Sequence, residues 1–267
     1  MIDKYENQTL VEIAKLLKED KVTFSVLSSI LAFPCKLIIT DRKYFIICYT
    51  CSPYPVWIWT HDDITNEVYE SVCSIINKEF GKDDNFFFNV KYNFLEYLKT
   101  KDKVNEWYAT KNMLTYDCPN PKPPSKQVRG AISLVAVEDY DIVRQFIKGF
   151  FEVTSEQNIT QEEFEEISQF HINSGNLYLW KDDCGFAVAM CGIELGDELG
   201  KVKLVYTPPT ARRKGYASSL VYEVSCMIKE KGLMPILYTD GDYNASNECY
   251  KAIGYVERGC LCSITRK

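Results

Sequence analysis

The stretch that decides the fold is Val205-Tyr206-Thr207-Pro208-Pro209-Thr210-Ala211-Arg212-Arg213-Lys214-Gly215-Tyr216-Ala217-Ser218-Ser219-Leu220. It opens on residues that are typical of a β-strand, and two prolines then stop the strand. Three adjacent cations and a glycine follow, and after them the spacing of apolar residues predicts an amphipathic helix. Free amides at a helix N-terminus bind anions, and a glycine there lets the backbone approach the anion closely. The stretch therefore predicts a strand, a loop and a helix whose start binds an anion.

The three cations of this loop, Arg212, Arg213 and Lys214, stand where a helix disfavours positive charge. They are consistent with a solvated basic helix start or, as we favour, with an anionic ligand. The sequence contains neither the Gly-Lys-Ser/Thr of a nucleotide P-loop nor the Gly-x-Gly-x-x-Gly of a dinucleotide-binding fold. The loop therefore favours a small phosphorylated ligand of another class.

Composition narrows the classes of protein to which the chain can belong. Of its 267 residues, 46% are hydrophobic and 25% are charged, so the chain is neither disordered nor collagen-like. Lys and Arg number 31, Asp and Glu number 37, and the formal net charge is −6. Affinity for nucleic acids comes mainly from cationic side chains that neutralise phosphates, so we expect no nucleic-acid partner.

Membrane insertion and export are not predicted either. The most apolar early stretch, residues 22–39, falls short of the roughly 20 apolar residues that a membrane span needs. The N-terminus has no basic segment followed by an apolar one, so we expect no secretion signal. The 11 cysteines are odd in number and irregularly spaced, which indicates reduced, mostly buried thiols. We therefore expect a cytoplasmic protein without a membrane partner.

A proline-rich segment divides the chain. Residues 117–126 hold four of the 10 prolines, and prolines remove backbone donors and stiffen an extended connector. We predict an N-terminal α/β domain over residues 1–116, a linker over 117–127 and a second domain over 128–267. Both flanking parts are long enough to hold a core.

Apolar periodicity predicts alternating helices and strands. In the N-terminal part, helices are expected near 10–17, 68–76 and 93–111, and strands at 35–40, 44–50, 55–60 and 86–90. In the C-terminal part, strands are expected at 132–137, 177–180, 185–194, 201–207, 235–239 and 255–264. Helices are expected there after Asp139 and at 160–173, 211–231 and 244–253.

Two segments resemble motifs of the GCN5-related N-acetyltransferase (GNAT) superfamily. Residues 212–217, Arg-Arg-Lys-Gly-Tyr-Ala, are similar to its pyrophosphate loop, Arg/Gln-x-x-Gly-x-Gly/Ala. Residues 244–255, Asn-Ala-Ser-Asn-Glu-Cys-Tyr-Lys-Ala-Ile-Gly-Tyr, are similar to the helix that follows the family's fifth strand. The resemblance covers about residues 130–265 and is strongest over 202–257.

This resemblance implies a fold and a layout. The fold is α/β (α+β), with a mixed, mostly antiparallel sheet and flanking helices, and the strands at 201–207 and 235–239 splay apart to admit the coenzyme. The Val-Tyr-Thr-Pro-Pro strand end is similar to a branch of two-domain bacterial acetyltransferases, whose N-terminal half is often a degenerate copy of the same fold. Residues 1–116 contain no Arg/Gln-x-x-Gly-x-Gly/Ala loop, so we expect no second coenzyme there.

The resemblance also implies acetyl-CoA as co-substrate. The backbone of residues 204–206 is expected to pair with the pantetheine arm, and the amides of residues 213–218 are expected to hold the pyrophosphate. Asn247 is expected to contact the coenzyme near the arm, and Tyr250 to act as the general acid that protonates the leaving thiolate. The expected coenzyme-binding residues are Leu204, Val205, Tyr206, Arg212, Arg213, Lys214, Gly215, Tyr216, Ala217, Ser218 and Asn247.

The activity that this implies for the domain at 128–267 is transfer of an acetyl group to a primary amine by direct attack in a ternary complex. The acceptor is expected to be a small molecule or a peptide, and the protein a monomer or homodimer. Two alternatives stay open, namely transfer of a longer acyl group to an amino acid and a non-catalytic, regulatory acyl-CoA-binding protein. The general base is also open, because Glu194 and Glu198 are candidates through water but fit solvated charges better.

No metal is predicted. Cys48-Tyr49-Thr50-Cys51 is the only Cys-x-x-Cys, and it lies in a predicted strand, whereas redox pairs lie at a helix start. A zinc site needs about four ligands, and neither His61 nor His171 has ligand spacing to these cysteines.

Overall fold

The computed structural model describes residues 7–81, 86–102, 106–154 and 160–267, and it divides into two compact units. The N-terminal unit comprises the described residues up to Thr115 together with Thr239–Asp242 and Arg258–Lys267. The C-terminal unit comprises Tyr116–Tyr238 and Tyr243–Glu257. Two short segments from the C-terminal part of the sequence thus belong to the N-terminal unit, and the division at residues 117–127 stays a prediction.

The N-terminal unit is built from one sheet with helices packed on it. Its helices are α1 (Asn7–Leu16), α2 (Ser25–Ile30), α3 (Asn66–Glu79) and α4 (Tyr92–Lys101). Its strands are β1 (Leu37–Thr40), β2 (Phe45–Tyr49), β3 (Val56–Thr60), β4 (Phe88–Lys91), β5 (Trp107–Asp117) and the end of β11 (Val256–Arg266), in the spatial order β1-β2-β3-β4-β11-β5. The strands β2 and β3 are buried along their whole length, and their apolar residues pack with those of α3 and α4 in one core.

The helix predicted over 93–111 is wrong in its second half. Helix α4 ends at Lys101, and Trp107 begins the 11-residue strand β5. The side chain of Thr110 in that strand donates a hydrogen bond to the carbonyl of Ser263 in β11 at 3.1 Å. Residues such as Trp, Tyr and Thr favour strands. The apolar spacing of this segment fits a helix about as well as a strand, so pairing with a strand far along the sequence decides its conformation.

The C-terminal unit is a second sheet region with helices on it. Its strands are β6 (Ala131–Leu134), β7 (Leu177–Lys181), β8 (Ala187–Leu195), β9 (Leu199–Tyr206) and β10 (Met234–Asp240), in the spatial order β10-β9-β8-β7-β6. Its helices are α5 (Tyr140–Thr154), α6 (Gln161–Asn173), α7 (Tyr216–Glu230) and α8 (Asn244–Ala252). The pairs β6–β7, β7–β8 and β8–β9 are antiparallel, and β9 and β10 are parallel. This mixed, mostly antiparallel arrangement is the predicted fold class.

Residues 118–130, which hold the clustered prolines, form neither a helix nor a strand, as the prolines predict. They are nevertheless fixed within the C-terminal unit. The amide of Cys118 donates to the carbonyl of Pro235 at 2.8 Å, and the amide of Lys122 donates to that of Ile253 at 2.9 Å. Further along, Trp180 Nε1 donates to the carbonyl of Arg129 at 3.2 Å. The segment is thus a structured part of this unit and not a free tether.

Candidate functional site

The strands β9 and β10 diverge. Their parallel register joins Leu199 to Met234 and continues to Val202 and Leu237. Beyond that pair, β9 runs on to Tyr206 and β10 to Asp240. The strands are therefore paired at their starts and not at their ends, as the resemblance implies, and the last four residues of β9 extend past its pairing with β10.

A β-bulge lies in the same part of β9. Across the pair with β8, Met190 faces Tyr206 whereas Gly192 faces Lys203, so β9 carries one extra residue there. Leu204 takes the left-handed conformation at φ 51°. A bulge of this kind turns backbone groups away from their regular direction. Leucine seldom adopts positive φ, so no residue type in the sequence signals this bulge.

The side chain of Tyr206 is packed against α5. The ring of Phe146 lies 5.6 Å from that of Tyr206. Gly149 makes room for it, because a Cβ atom at that glycine would lie 2.2 Å from the Tyr206 hydroxyl oxygen. The side chain of Tyr206 is therefore engaged in packing, and its backbone is the part that the sequence analysis expects to bind the coenzyme.

The loop between β9 and α7 departs from regular backbone geometry at two positions. Two of its residues take the left-handed conformation, Arg213 at φ 60° and Gly215 at φ 98°. These turns end the short helical turn Pro209–Ala211 and delay the start of α7 to Tyr216, so the helix predicted from residue 211 begins later. A Cβ at Gly215 would lie 3.0 Å from Val128 Cγ1, so both the conformation and the space call for glycine.

The predicted loop residues divide into those that shape the loop and those that face solvent. Arg212 Nε donates to the carbonyl of Thr207 at 3.0 Å, which closes the loop on itself. Arg213 and Lys214 are exposed, and α7 begins directly after Gly215 with no acidic residue in its first turn. Two exposed cations therefore lie beside the start of a helix, an arrangement that favours an anionic ligand.

Helix α8 places the other two predicted residues on one buried face. Asn247 and Tyr250 are 4% and 7% exposed. Their spacing of three residues puts both on the same side of the helix. Burial is the main cause that raises the pKa of Tyr250 above its ordinary value, so the phenol stays protonated at neutral pH. In addition, Ser218 Oγ in α7 lies 3.1 Å from Cys249 Sγ, which joins the loop's helix to α8.

A group of charges lies near the bulge on β8, β9 and α6. Glu194 contacts Lys203 at 2.9 Å and Lys201 at 3.5 Å. Burial raises the pKa of Glu194, but the hydrogen bonds and charges of the two lysines outweigh it and lower that pKa overall. Burial and the charge of Lys203 lower the pKa of His171 to about 4, against the opposing effect of Glu194. Sequence reasoning did not bring these residues together, because they come from three elements.

These charges bear on the two carboxylates considered as general bases. A carboxylate held by two lysines is a weak proton acceptor at neutral pH, so the pairing argues against Glu194. Glu198 lies exposed in the turn before β9, where its carbonyl accepts from the amide of Met234 at 2.9 Å. Neither glutamate is thereby assigned as the base.

One cluster of possible metal ligands occurs in the described part of the chain. It consists of Asp182, Asp183 and Cys184, in the turn between β7 and β8. Asp182 Oδ1 already accepts the amides of Cys184 and Phe186 at 3.1 and 2.9 Å, which is what this turn requires. The cluster therefore gives no positive indication of a metal. Within the described ranges, no helix is long and apolar enough to cross a membrane.

Comparisons with known proteins bear on the fold. Residues 184–262 match the family of FR47-like proteins, a range that covers β8 to β10 and most of β11, and with them the loop and α8. No curated protein matches the chain. Several solved structures match it over nearly its whole length.

Three of these structures show the extent of the likeness. An acetyltransferase of the GNAT family from Colwellia psychrerythraea is 12% identical, with a TM-score of 0.61 over 97% of each chain. A GCN5-related N-acetyltransferase from Sphaerobacter thermophilus is 13% identical, with a TM-score of 0.64 over 96% of this chain and 91% of the other. One from Kribbella flavida is 13% identical, with a TM-score of 0.60 over 92% and 94%. The resemblance to the GNAT superfamily is confirmed, and the chain has the fold of these proteins.

Proposed function

We propose that this chain, which has the GNAT fold, is an acetyl-CoA-dependent N-acetyltransferase. It moves an acetyl group to a primary amine by direct attack in a ternary complex. One observation carries the proposal. The cationic loop 212–217, with Gly215 in the left-handed conformation, leads into α7 beside the end of β9, where β9 has left its pairing with β10. A cytoplasmic location and a small-molecule or peptide acceptor belong to the same proposal.

Coenzyme binding follows from two features of this loop and strand. The amides of residues 213–218 would hold the pyrophosphate at the start of α7, with Arg213 and Lys214 adding charge. The backbone of Leu204, Val205 and Tyr206 would pair with the pantetheine arm, since β9 continues past Val202 beyond its register with β10. The bulge at Leu204 turns these backbone groups, so an amide there would polarise the thioester carbonyl.

The chemical step needs a proton for the leaving group. The amine nitrogen attacks the carbonyl carbon of the thioester and gives up one proton to solvent, the C–S bond of the tetrahedral intermediate then breaks, and CoA leaves as a thiolate. Tyr250, which is protonated at neutral pH, would donate its proton to that sulfur and then regain one from solvent. Asn247, on the same face of α8, would hold the coenzyme near its arm.

The test of the proposal is calorimetric titration of the full chain with acetyl-CoA. We expect one site per chain, because only the C-terminal part carries the loop motif. Gly215→Glu places a side chain and a negative charge where the pyrophosphate would lie, and the affinity should fall by about 100-fold or more.

Gly232→Glu is the matched control. Gly232 lies just after α7 and it too has positive φ. A Cβ atom added there would meet no other atom within 4 Å, so the control strains the backbone without reaching the loop. Wild-type affinity in a folded Gly215→Glu protein would overturn the proposed site, and a stoichiometry near two would place a second site in the chain.

Turnover separates the activity from its alternatives. Release of CoA from acetyl-CoA that depends on an added primary amine supports N-acetylation. A strong preference for longer acyl-CoA with amino acids would replace the proposed donor, and binding without turnover across a broad amine panel would favour a regulatory acyl-CoA-binding protein.

A further inference from the structure

The Cys-x-x-Cys of the sequence does not form a pair in the structure. Cys48 lies within β2 and is fully buried, whereas Cys51 lies beyond the end of that strand and is exposed. The two thiols are therefore in different surroundings, one inside the sheet and one on the surface. The nearest thiol to Cys48 is that of Cys35, with their sulfur atoms 3.5 Å apart.

The strand pairing of the N-terminal unit gives Cys48 a different partner, so Cys35 approaches Cys48 from outside the paired residues of β1 and β2. In the register of β1 and β2, Leu37 faces Tyr49 and Ile38 faces Cys48. Cys35 lies two residues before β1, in a stretch without regular structure, and its sulfur lies 3.5 Å from that of Cys48. One partner thus lies in a strand, and the other lies outside regular secondary structure.

The two thiols lie in different surroundings. Cys48 is 0% exposed, and its S–H donates to the sulfur of Cys35. Cys35 is half-buried, and its own S–H points towards the carbonyl oxygens of Phe33 at 3.4 Å and Ile30 at 3.5 Å. Burial, with a smaller contribution from Cys35, raises the pKa of Cys48. Cys35 is therefore the thiol that solvent and an oxidant reach first.

We propose that Cys35 and Cys48 are a reversible disulfide site, oxidised by a small-molecule disulfide of the glutathione type. A disulfide bond is about 2.05 Å long, so the sulfurs must approach each other by about 1.5 Å from their present distance. The segment before β1 supplies that movement. This site is independent of the proposed acetyl transfer.

The oxidation proceeds in two exchange steps that balance. The thiolate of Cys35 attacks one sulfur of oxidised glutathione, the S–S bond of that molecule breaks, and one glutathione leaves as a thiolate that takes up a proton. Cys48 then loses its proton to solvent and attacks the sulfur of Cys35, and a second glutathione leaves. Two protein thiols are oxidised to one disulfide, and one glutathione disulfide is reduced to two thiols.

The experiment equilibrates the full chain in glutathione redox buffers, traps free thiols by alkylation and maps the peptides by mass spectrometry. We expect a peptide pair joined through Cys35 and Cys48 that has lost two hydrogen atoms, and its return to free thiols on addition of reducing agent. Denatured protein should then alkylate at two thiols fewer than its 11 cysteines, apart from any glutathione adducts.

Variants distinguish this pair from general thiol oxidation. Cys51→Ser removes the exposed member of the Cys-x-x-Cys and should leave the joined peptides unchanged. Cys35→Ser alters a half-buried position and should abolish them, and Cys48→Ala is the second variant in case the first unfolds. A bond from Cys48 to Cys51 would overturn the proposal. So would the absence of any joined peptide in buffers where the exposed thiols of Cys51 and Cys184 already carry glutathione.

Discussion

Each unit of the chain contains a strand, a helix, a second strand parallel to the first and a second helix. The series is β3-α3-β4-α4 in the N-terminal unit and β9-α7-β10-α8 in the C-terminal unit. The two series differ most at the start of their first helix. Helix α3 follows Asp62 and Asp63 and carries Glu67 in its first turn. Helix α7 follows Arg213 and Lys214 and has no acidic residue there.

This difference decides what each helix start can bind. A hydrogen bond from the Thr65 side chain, followed by one from the backbone of Glu67 itself, lowers the pKa of Glu67. Helix α3 thus supplies its own anion to the partial positive charge of its N-terminus. Helix α7 adds cations to the same partial charge, and under the proposed function an anion from outside would complete it. The shared series of elements therefore does not make a coenzyme site, whereas the charge at the helix start can.

The second helices, α4 and α8, differ in the polarity of the residues that they bury. Helix α4 buries Phe94, Leu95 and Leu98, whereas α8 buries Asn247 and Tyr250. Burying a polar group costs free energy unless it gains a partner, so an apolar face is the default for packing on a sheet. Tyr250 has a side-chain hydrogen bond with Ser246, and under the proposed function Asn247 and Tyr250 would also contact the coenzyme.

The largest expected effect tests this second contrast. Tyr250→Phe keeps the ring and removes only the hydroxyl that would protonate the CoA thiolate. General acid catalysis contributes about 10²–10⁴ in rate, so kcat should fall by that order while the KM for acetyl-CoA barely moves. Steady-state kinetics with saturating amine measures both constants.

Tyr97→Phe is the matched control, because Tyr97 lies on α4 and its ring stacks on that of Tyr69 at 4.6 Å. It should leave kcat unchanged. If Tyr250→Phe retains kcat within about threefold, Tyr250 serves packing alone and the proposed difference between α4 and α8 disappears.

A smaller effect is expected at the start of the first helices. Reversing both exposed cations with Arg213→Glu and Lys214→Glu should weaken acetyl-CoA binding by about 10- to 30-fold, because the charges are solvated. The loss should shrink as salt is added, since salt screens exposed charges. Titration calorimetry at two ionic strengths measures it.

Asp63→Lys is the control for this charge reversal, since it adds a cation ahead of α3. It should leave the coenzyme affinity unchanged, because α3 has no glycine loop to bring a phosphate to its amides. A gain in affinity from Asp63→Lys that matches, per unit charge, the loss from the double reversal would show that net charge, and not the loop at α7, governs binding.

The parts of this contrast that sequence can predict are local. The loop 212–217 is predictable because a glycine and three cations between a strand and a helix are contiguous. Helix α6 is predictable for the same reason, since Thr160 and Glu163 form the expected capping box, with the Glu163 amide 3.2 Å from Thr160 Oγ1. Adjacent residues carry these signals, so one sequence suffices.

The parts that sequence cannot predict depend on partners far along the chain. The apolar spacing at the start of β5 fits the end of a helix. The strand that pairs with it and decides its conformation, β11, lies about 150 residues later. The bulge at Leu204 arises from its register with β8, and no residue type announces it. Likewise, the sequence motif pairs Cys48 with Cys51, whereas in the structure the sulfur of Cys48 lies beside that of Cys35.

The smallest effect concerns His171 on α6, whose pKa is affected by the charge of Lys203 on β9. Burial and then the charge of Lys203 lower its pKa to about 4 from the ordinary 6.5, with Glu194 opposing them. We expect its imidazole to stay neutral as pH falls from about 7.5 to about 5, because that window lies above the folded pKa. Proton NMR measures this directly, because the chain has two histidines and His61→Asn leaves one imidazole signal.

The same shift gives a stability prediction whose sign is fixed. Below pH 6.5 the unfolded chain protonates His171, while the folded chain does so only near pH 4, so the free energy of unfolding falls as pH drops through that window. The loss should be about 1 kcal/mol, since the ring is only half-buried and solvent screens part of the effect. His171→Asn should remove this loss and flatten the pH dependence of urea unfolding, whereas Lys203→Met should raise the folded pKa towards 6.5 and make the loss smaller. A His171 signal that titrates near pH 6.5 in the wild-type chain would mean that burial and Lys203 do not lower the pKa of His171. The contrast in charge between the two units would then be confined to the loop before α7.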